Sequence, residues 1–279
     1  MPESQLNERA WKLVEEQLAR GEELSSRCST VSGGGRVIDC GIEKDGDQKA
    51  GLFLAALTLC DLAEVSIRNG TDSDMPFERV FVKTSEPVAA CMASQYAGWQ
   101  ISVGDFFAMG SGPMRAAYGG EKLFKEIGYI EKATRIVGTL ETRQRPPAEV
   151  FDFIAAKTGV EPKNIILAVA PTASDAGGVQ VVARSVETAL HKLHELGFDL
   201  SRVRSGSGSA PIPPTAADDM AAIGRTNDAV LYGARVELEV TGDDDSIAEL
   251  GAKTPSSASA DHGDLFIEIF ERYDRDFYR

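Results

Sequence analysis

Hydrophobic and polar positions repeat with two different periods along the chain. Apolar residues that recur every three to four positions indicate amphipathic helices, and short β-branched runs or strict alternation indicate strands. The predicted helices cover residues 6–20, 50–62, 86–96, 147–158, 215–223, 245–253 and 264–275, with two more after the loops at 109–113 and 171–178. The predicted strands cover residues 24–31, 36–42, 64–68, 79–83, 100–103, 135–140, 202–209 and 229–240, together with the apolar run that begins at residue 165.

These helices and strands interleave throughout the chain, which predicts an α/β fold. The run TRQRPP at residues 142–147 is the best candidate for a boundary between two lobes. We therefore predict an N-terminal α/β lobe of residues 1–145 and a C-terminal α/β lobe of residues 146–279. Whether the two lobes also exchange segments is left open at this point.

Composition and charge narrow the class of protein. The 279 residues are 43% hydrophobic and 26% charged, which is enough to build a core without a disulfide or a structural metal. The net charge is −14 and no cluster of Lys and Arg is present, so a nucleic-acid binder is not expected. No apolar run approaches the roughly 20 residues of a membrane span, and we expect a cytoplasmic protein.

The cysteines and histidines give no strong chemical motif. Cys28, Cys40, Cys60 and Cys91 form no CxxC pair, so we interpret them as free buried thiols. His191 and His194 are three residues apart without a HExxH motif, and surface histidines are the favoured interpretation over metal ligands. No GxSxG motif indicates a serine nucleophile.

The segment 165–197 carries the richest chemistry. A β-branched run enters a loop that contains Thr172 and Ser174, and the loop opens into a long amphipathic helix. At about 100° per residue, Gln180, Arg184 and Glu187 form one polar stripe on that helix. The pattern alone favours a solvated ion pair worth about 0.2–0.5 kcal/mol. The competing interpretation places the stripe in a cleft, because it begins at a loop of small and polar residues.

Three Gly-rich turns could bind an anion through backbone N–H groups. They are SGGGR at residues 32–36, GSGPMR at 110–115 and SGSGS at 205–209, and none matches a nucleotide-binding motif. Tight turning is the simpler interpretation of each. The second turn is the best candidate, since Gly110, Ser111 and Gly112 precede a helix whose first turn carries Arg115.

Three longer motifs resemble one enzyme family. They are VQVVARSVETALHKL with its preceding PTAS, GSGPMRA at residues 110–116, and GSGSAPIPP at residues 206–214. Together they resemble methenyltetrahydromethanopterin cyclohydrolases, particularly the bacterial form, over essentially the whole chain. One departure is Asp175, where an apolar or small residue is expected.

The resemblance implies a homotrimer whose two-lobed subunits hold the substrate pocket between the lobes. The implied reaction is the reversible hydrolysis of 5,10-methenyltetrahydromethanopterin to the 5-formyl form, with no metal and no redox cofactor, the pterin being the substrate. Arg184 and Glu187 match the catalytic pair of the family. We expect Glu187 to act as acid and base, its pKa raised by burial and lowered by Arg184, which would also orient it. The expected substrate contacts are Gly110, Ser111, Gly112, Arg115, Thr172, Ser174 and Gln180.

Two alternatives are kept. One is a phosphate-ester-dependent α/β transferase that uses the Gly-rich turns and a divalent ion. The other is a non-catalytic pterin- or anion-binding protein, which would lose nothing when Glu187 is replaced.

Overall fold

A computed structural model describes residues 5–20, 27–43, 46–70 and 77–275. Within these ranges the chain forms two β-sheets, confirming the α/β class. The strands are β1 Arg27–Thr30, β2 Arg36–Asp39, β3 Ala63–Asn69, β4 Glu78–Thr84, β5 Trp99–Val103, β6 Phe106–Ser111, β7 Ile136–Glu141, β8 Ile165–Ala170, β9 Val203–Pro211 and β10 Arg235–Val240.

Helices cover the sheets and connect their strands. The α-helices are α1 Leu6–Ala19, α2 Gln48–Thr58, α3 Met114–Tyr118, α4 Lys122–Ile127, α5 Ala148–Thr158, α6 Asp175–Val182, α7 Ser185–Glu195, α8 Asp219–Gly233, α9 Asp244–Gly251 and α10 Phe266–Arg272. A π-helix runs over Val88–Gln95, and short 3-10 turns lie at Pro162–Asn164, Leu200–Arg202 and Ser256–Ala258. No helix in the described part of the chain is long and apolar enough to span a membrane.

The larger sheet has six strands in the order β1-β2-β8-β7-β6-β5. Its three central strands, β2, β8 and β7, are parallel, so their carboxyl ends meet at one edge. Residues of α5 pack on one face of this sheet and residues of α1 and α2 on the other. In α/β proteins this edge is where loops from neighbouring strands gather side chains for binding and chemistry.

The smaller sheet has four antiparallel strands in the order β10-β9-β4-β3. Its inner face packs against α7 through a core that includes Val80, Val82, Val186 and Leu190. Each sheet takes strands from both sides of residue 145, so the topology is compatible with interleaved lobes. The division into residues 1–145 and 146–279 itself stays a prediction.

Several predicted elements differ from the structure. The strand predicted over 229–240 begins only at Arg235, because α8 continues to Gly233. The single helix predicted after the loop at 109–113 is two short helices, α3 and α4. The start of that loop, together with residues 106–108, for which no element is predicted, forms strand β6. Part of the strand predicted over 24–31 lies outside the described residues. Of the four free thiols, Cys28 is exposed, contrary to expectation, and the other three are buried.

The long helix predicted after residue 178 is interrupted. Helix α6 ends at Val182 and α7 begins at Ser185, with Arg184 between them at φ −86°, ψ 11°. These angles lie in the sparsely occupied bridge region, where active-site residues are often found. The interruption means that Arg184 and Glu187 do not share one helical stripe, although only three positions separate them.

Candidate active site

A cavity of about 550 Å³ opens at the carboxyl edge of the six-stranded sheet. Polar side chains enter it from β7, from the loop after β8 and from the corner between α6 and α7. Its apolar wall suits a flat ring and is formed by Tyr96, Phe107, Met109, Val181, Ile223 and Phe266. The polar lining includes Glu141, Arg143, Thr172, Arg184, Glu187, Thr188, His191 and Asp219.

Glu187 lies in the first turn of α7 and is 5% exposed. Its carboxylate makes no hydrogen bond with any residue that the structure describes. Its pKa is raised to about 7, because the effect of burial exceeds the opposing effect of the nearby charges of Arg184 and Arg115. A carboxyl group that exchanges its proton near neutral pH is suited to act as both base and acid.

The interpretation of Arg184 and Glu187 as a solvated ion pair is wrong, because both side chains are buried. The guanidinium of Arg184 also makes no hydrogen bond and no ion pair within 4.0 Å with Glu187. Its Nη1 donates to the carbonyl of Gln95 over 2.6 Å, at the end of the π-helix. Its Nη2 donates to Gln180 Oε1 over 2.9 Å, to Glu141 Oε1 over 3.2 Å and to Ser111 Oγ over 3.3 Å. The described residues therefore show no hydrogen bond from Arg184 to Glu187, and the expectation that Arg184 orients this carboxylate stays a prediction.

Glu141 is the functional candidate that sequence reasoning missed. It is the last residue of β7, and its Oε1 also accepts from Gln180 Nε2 over 2.9 Å. Its Oε2 lies 3.5 Å from Thr172 Oγ1, which extends from the loop after β8. The signal was present, because a carboxylate directly follows an apolar strand whose carboxyl end points to the site edge.

Arg115 is enclosed and is not available to an anion from the cavity. It is fully buried, and Glu121 binds it through two bonds of 2.9 and 2.5 Å. Its Nη1 donates to the carbonyls of Met92 and Ser94. The ring of Tyr96 lies 4.7 Å from the guanidinium carbon. Arg115 therefore acts on the cavity through its charge and not through a direct contact.

The turn of Gly110, Ser111 and Gly112 is likewise engaged within the protein. Gly110 and Ser111 belong to β6, and the N–H of Gly112 donates to the carbonyl of Ser94 over 2.9 Å. Gly112 has φ +89°, which favours glycine. Ser111 reaches the site indirectly, by accepting a hydrogen bond from Arg184. The structure gives this turn a role in holding the arginine and shows no open cradle of N–H groups.

Thr172 and Ser174 lie in the same loop but serve different elements. Thr172 is buried and lines the cavity. Ser174 caps α6, since its Oγ accepts from the N–H of Gly177 over 3.0 Å and donates to the carbonyl of Pro171. Asp175, in the first turn of α6, accepts a hydrogen bond from Thr215, and a carboxylate is favourable at a helix N-terminus.

Two glycines of the SGSGS motif determine where α7 sits. A Cβ on Gly208 would lie 2.5 Å from Ser185 Oγ, and one on Gly206 would lie 2.9 Å from Val186 Cγ1. Real Cβ atoms do not approach so closely, so the two glycines allow α7 to pack directly on strand β9. The motif thus positions the helix that carries Glu187 and forms no anion-binding turn.

Arg143 and His191 also line the cavity and were not assigned to the site from sequence. Arg143 pairs with Asp219 over 2.5 Å. His191 packs on Tyr96 with 4.9 Å between ring centroids, so it is not a solvated surface histidine. Within residues 5–20, 27–43, 46–70 and 77–275, no group of three or more His, Cys, Asp and Glu side chains is arranged to hold a metal ion.

Comparisons with known proteins agree with the motifs. A family model described as Cyclohydrolase (MCH) matches residues 5–279. A protein of Rhodopirellula baltica named methenyltetrahydromethanopterin cyclohydrolase is 49% identical over 251 residues, covering 88% of this chain and 75% of the relative. Proteins of the same name from Xanthobacter autotrophicus and Methanosarcina barkeri are 45% and 40% identical, covering 96% and 98% of this chain and 79% and 86% of the relatives. This chain belongs to the MCH cyclohydrolase family.

Proposed function

We propose that this chain catalyses the reversible hydrolysis of 5,10-methenyltetrahydromethanopterin to 5-formyltetrahydromethanopterin. The observation that carries the proposal is the buried carboxylate of Glu187, which faces a cavity large enough for a pterin and has no hydrogen-bond partner among the described residues. The family membership and the names of the relatives support the same reaction.

The chemistry requires one group that can accept and then donate a proton. The methenyl carbon lies between two nitrogens and carries part of an amidinium charge. Ionised Glu187 takes a proton from water as the water oxygen bonds to this carbon, which neutralises the cation. Glu187 then delivers that proton to N10 as the C–N10 bond breaks. The proton of the new hydroxyl group leaves to solvent as the formyl C=O forms, so one proton is released overall.

The charges around the cavity suit a cationic substrate centre. Glu141 and ionised Glu187 carry two negative charges and Arg184 carries one positive charge, which leaves a net charge of about −1 on this cluster. A cationic substrate is favoured in such a field. When water adds, the substrate loses its positive charge and Glu187 loses its negative charge, so the total charge in the cavity does not change. Thr172 at the cavity wall is our candidate for a direct substrate contact. Ser111 and Gln180 hold Arg184 in place by accepting hydrogen bonds from its Nη2.

The direct test mixes the purified protein with methenyltetrahydromethanopterin in chelator and follows the loss of near-UV absorbance. We expect turnover without an added metal or redox cofactor, and no acceleration over buffer would overturn the proposal. Glu187→Gln should lose at least ~10²-fold in rate while still binding the substrate. Glu161→Gln is the matched control, since Glu161 is exposed and precedes β8 at the opposite edge of the sheet.

The assay of the wild type and of Glu187→Gln also decides between this reaction and the two alternatives. A non-catalytic pterin-binding protein would have no turnover to lose, and an α/β transferase would require a divalent ion and a phosphate ester. We also propose, on the resemblance, a cytoplasmic homotrimer. Light scattering after gel filtration tests the trimer, and cell fractionation tests the location.

A further inference from the structure

The charges of two arginines act on Glu187, and each arginine is held by a different carboxylate. Nη2 of Arg184 lies 3.2 Å from Oε1 of Glu141, and Nη2 of Arg115 lies 2.5 Å from Oε2 of Glu121. Both arginines act on Glu187 through their charge, but neither donates a hydrogen bond to it. Glu187 is therefore a buried carboxylate close to two cations and in an ion pair with neither.

Glu141 is fixed from three elements. It ends β7, its Oε1 accepts from Gln180 of α6, and its Oε2 lies within reach of Thr172 after β8. Gln180 in turn accepts from Nη2 of Arg184, so Glu141, Gln180 and Arg184 form a closed ring of hydrogen bonds. A movement of the guanidinium toward Glu187 would break two of these bonds.

We propose that Glu141 is a positioning residue that holds the guanidinium of Arg184 against strand β7 and so leaves the carboxylate of Glu187 without an ion-pair partner. Its relevance to catalysis rests on the function proposed above, since an unpaired carboxylate is the one that can exchange protons with water and N10. A carboxylate locked in an ion pair with Arg184 would be a weaker base.

The other titratable groups that face Glu187 do not supply a competing charge. Cys91 extends from the π-helix, and burial together with the charge of Glu187 raises its pKa, so the thiol stays neutral. His191 lies one turn further along α7, where burial lowers its pKa and favours the neutral ring near pH 7. Arg184 is thus the cation whose position Glu141 controls.

The test is to replace Glu141 by Gln, which keeps the size and the acceptor for Gln180 but removes the charge. Arg184 then loses its anionic partner and becomes free to pair with Glu187. An opposite charge at about 4–6 Å lowers the pKa of a carboxyl group by about 1 to 3 pH units. We therefore expect the acid limb of kcat/KM to move to lower pH in Glu141→Gln. At pH 7 we expect kcat to fall about 10-fold, with a smaller change in KM.

A direct titration makes the result independent of turnover. In protein labelled with carbon-13 at the Glu side-chain carboxyl carbons, the Glu187 signal is the one lost in Glu187→Gln. We expect it to titrate near pH 7 in the wild type and at lower pH in Glu141→Gln. Glu161→Gln removes an equal charge far from the cavity and should leave both the titration and the acid limb unchanged.

The outcomes separate a positioning role from a structural one. A folded Glu141→Gln protein in which Glu187 titrates as in the wild type overturns the proposal, even if activity falls. Where that variant does not fold, Glu141→Asp replaces it, since it retains the charge but withdraws it by one methylene. Glu141→Asp should shift the titration in the same direction by less, and an unshifted titration overturns the proposal. Absence of turnover in the wild type would count against the proposed reaction alone, because the titration still decides the role of Glu141.

Discussion

Oε1 of Glu141 accepts a hydrogen bond from Nη2 of Arg184 over 3.2 Å, although the two residues are 43 positions apart in the chain. Glu187 is only three positions from Arg184 and receives no such bond. The break between α6 and α7 explains the difference, since Arg184 leaves the helical path just before Glu187 enters it. The carboxylate at the end of β7, and not the neighbour in sequence, is the ion-pair partner of Arg184.

The raised pKa of Glu187 has a consequence for stability. Its pKa rises from the ordinary 4.5 to about 7 on folding. The folded state therefore favours the protonated form, and this contribution is fully present below pH 4.5 and lost as pH rises through 7. Glu187→Gln cannot ionise, so its free energy of unfolding relative to the wild type should increase by about 3 kcal/mol between pH 4 and pH 8. Urea denaturation at both pH values measures this, and a difference that stays constant with pH would contradict it.

Replacing Arg115 should damage folding and not substrate affinity. Arg115→Met removes the partner of Glu121, whose side chain is 14% exposed, and leaves that carboxylate uncompensated. Breaking such a buried pair costs about 3–5 kcal/mol of unfolding free energy. Urea denaturation of Arg115→Met, compared with Arg115→Met/Glu121→Gln, tests this, because the second change should restore part of the loss. A stable Arg115→Met protein with a raised KM would instead support a direct contact with the substrate.

The close packing of α7 on β9 predicts that Gly208→Ala lowers both stability and activity. The added Cβ would meet Ser185 Oγ at 2.5 Å and Val186 Cγ2 at 2.9 Å, so these side chains must turn aside or α7 must shift with them, and we expect the helix to shift. We expect a loss of about 1–3 kcal/mol in unfolding free energy and a fall in kcat, because Glu187 moves with the helix. Gly251→Ala in α9 is the control, since a Cβ there meets nothing within 4 Å. Equal kcat values in the two variants would refute the link between the packing of α7 on β9 and the position of Glu187.

Ser174 gives a clean test of capping against substrate binding. Ser174→Ala removes the acceptor for the N–H of Gly177 and should cost about 1 kcal/mol. Ser174→Asp retains a good cap and should restore stability. If Ser174 only caps α6, KM stays the same in both variants. A KM that rises in Ser174→Asp despite restored stability would return Ser174 to the substrate site.

The interleaved strands, the class of fold and the buried run that enters the site could be predicted because they rest on local periodicity. The break at Arg184 could not, since neither Ala183 nor Arg184 disfavours helix and the interruption coincides with contacts to Gln95 and Glu141 from distant elements. The burial of Glu187 was expected from the family resemblance, whereas the helical periodicity alone favoured exposure to solvent. A single helical period cannot tell a stripe that faces water from one that faces a cavity wall.

The Gly-rich turns show why a run of glycines in the sequence does not by itself assign an anion-binding role. Composition identifies where the backbone has no Cβ, but it does not say what uses the space. At Gly112 the space serves a turn with positive φ, and at Gly206 and Gly208 it serves a neighbouring helix. Glu141 could have been predicted as a site residue. It directly follows a predicted strand, and Thr172 follows the next predicted strand, so two parallel strands would bring both residues to the same edge of the sheet.

The two glycines of β9 connect the four-stranded sheet to the chemistry at the edge of the six-stranded one. Because α7 rests on bare backbone at Gly206 and Gly208, the depth of Glu187 in its cavity is set by a strand that contributes no side chain to that cavity. A redesign of the cavity for a different pterin should therefore change residues of the apolar wall and keep Gly206 and Gly208 of β9. A larger residue at either glycine of β9 would displace Glu187, the proposed proton donor, while leaving the identities of the residues that line the cavity unchanged.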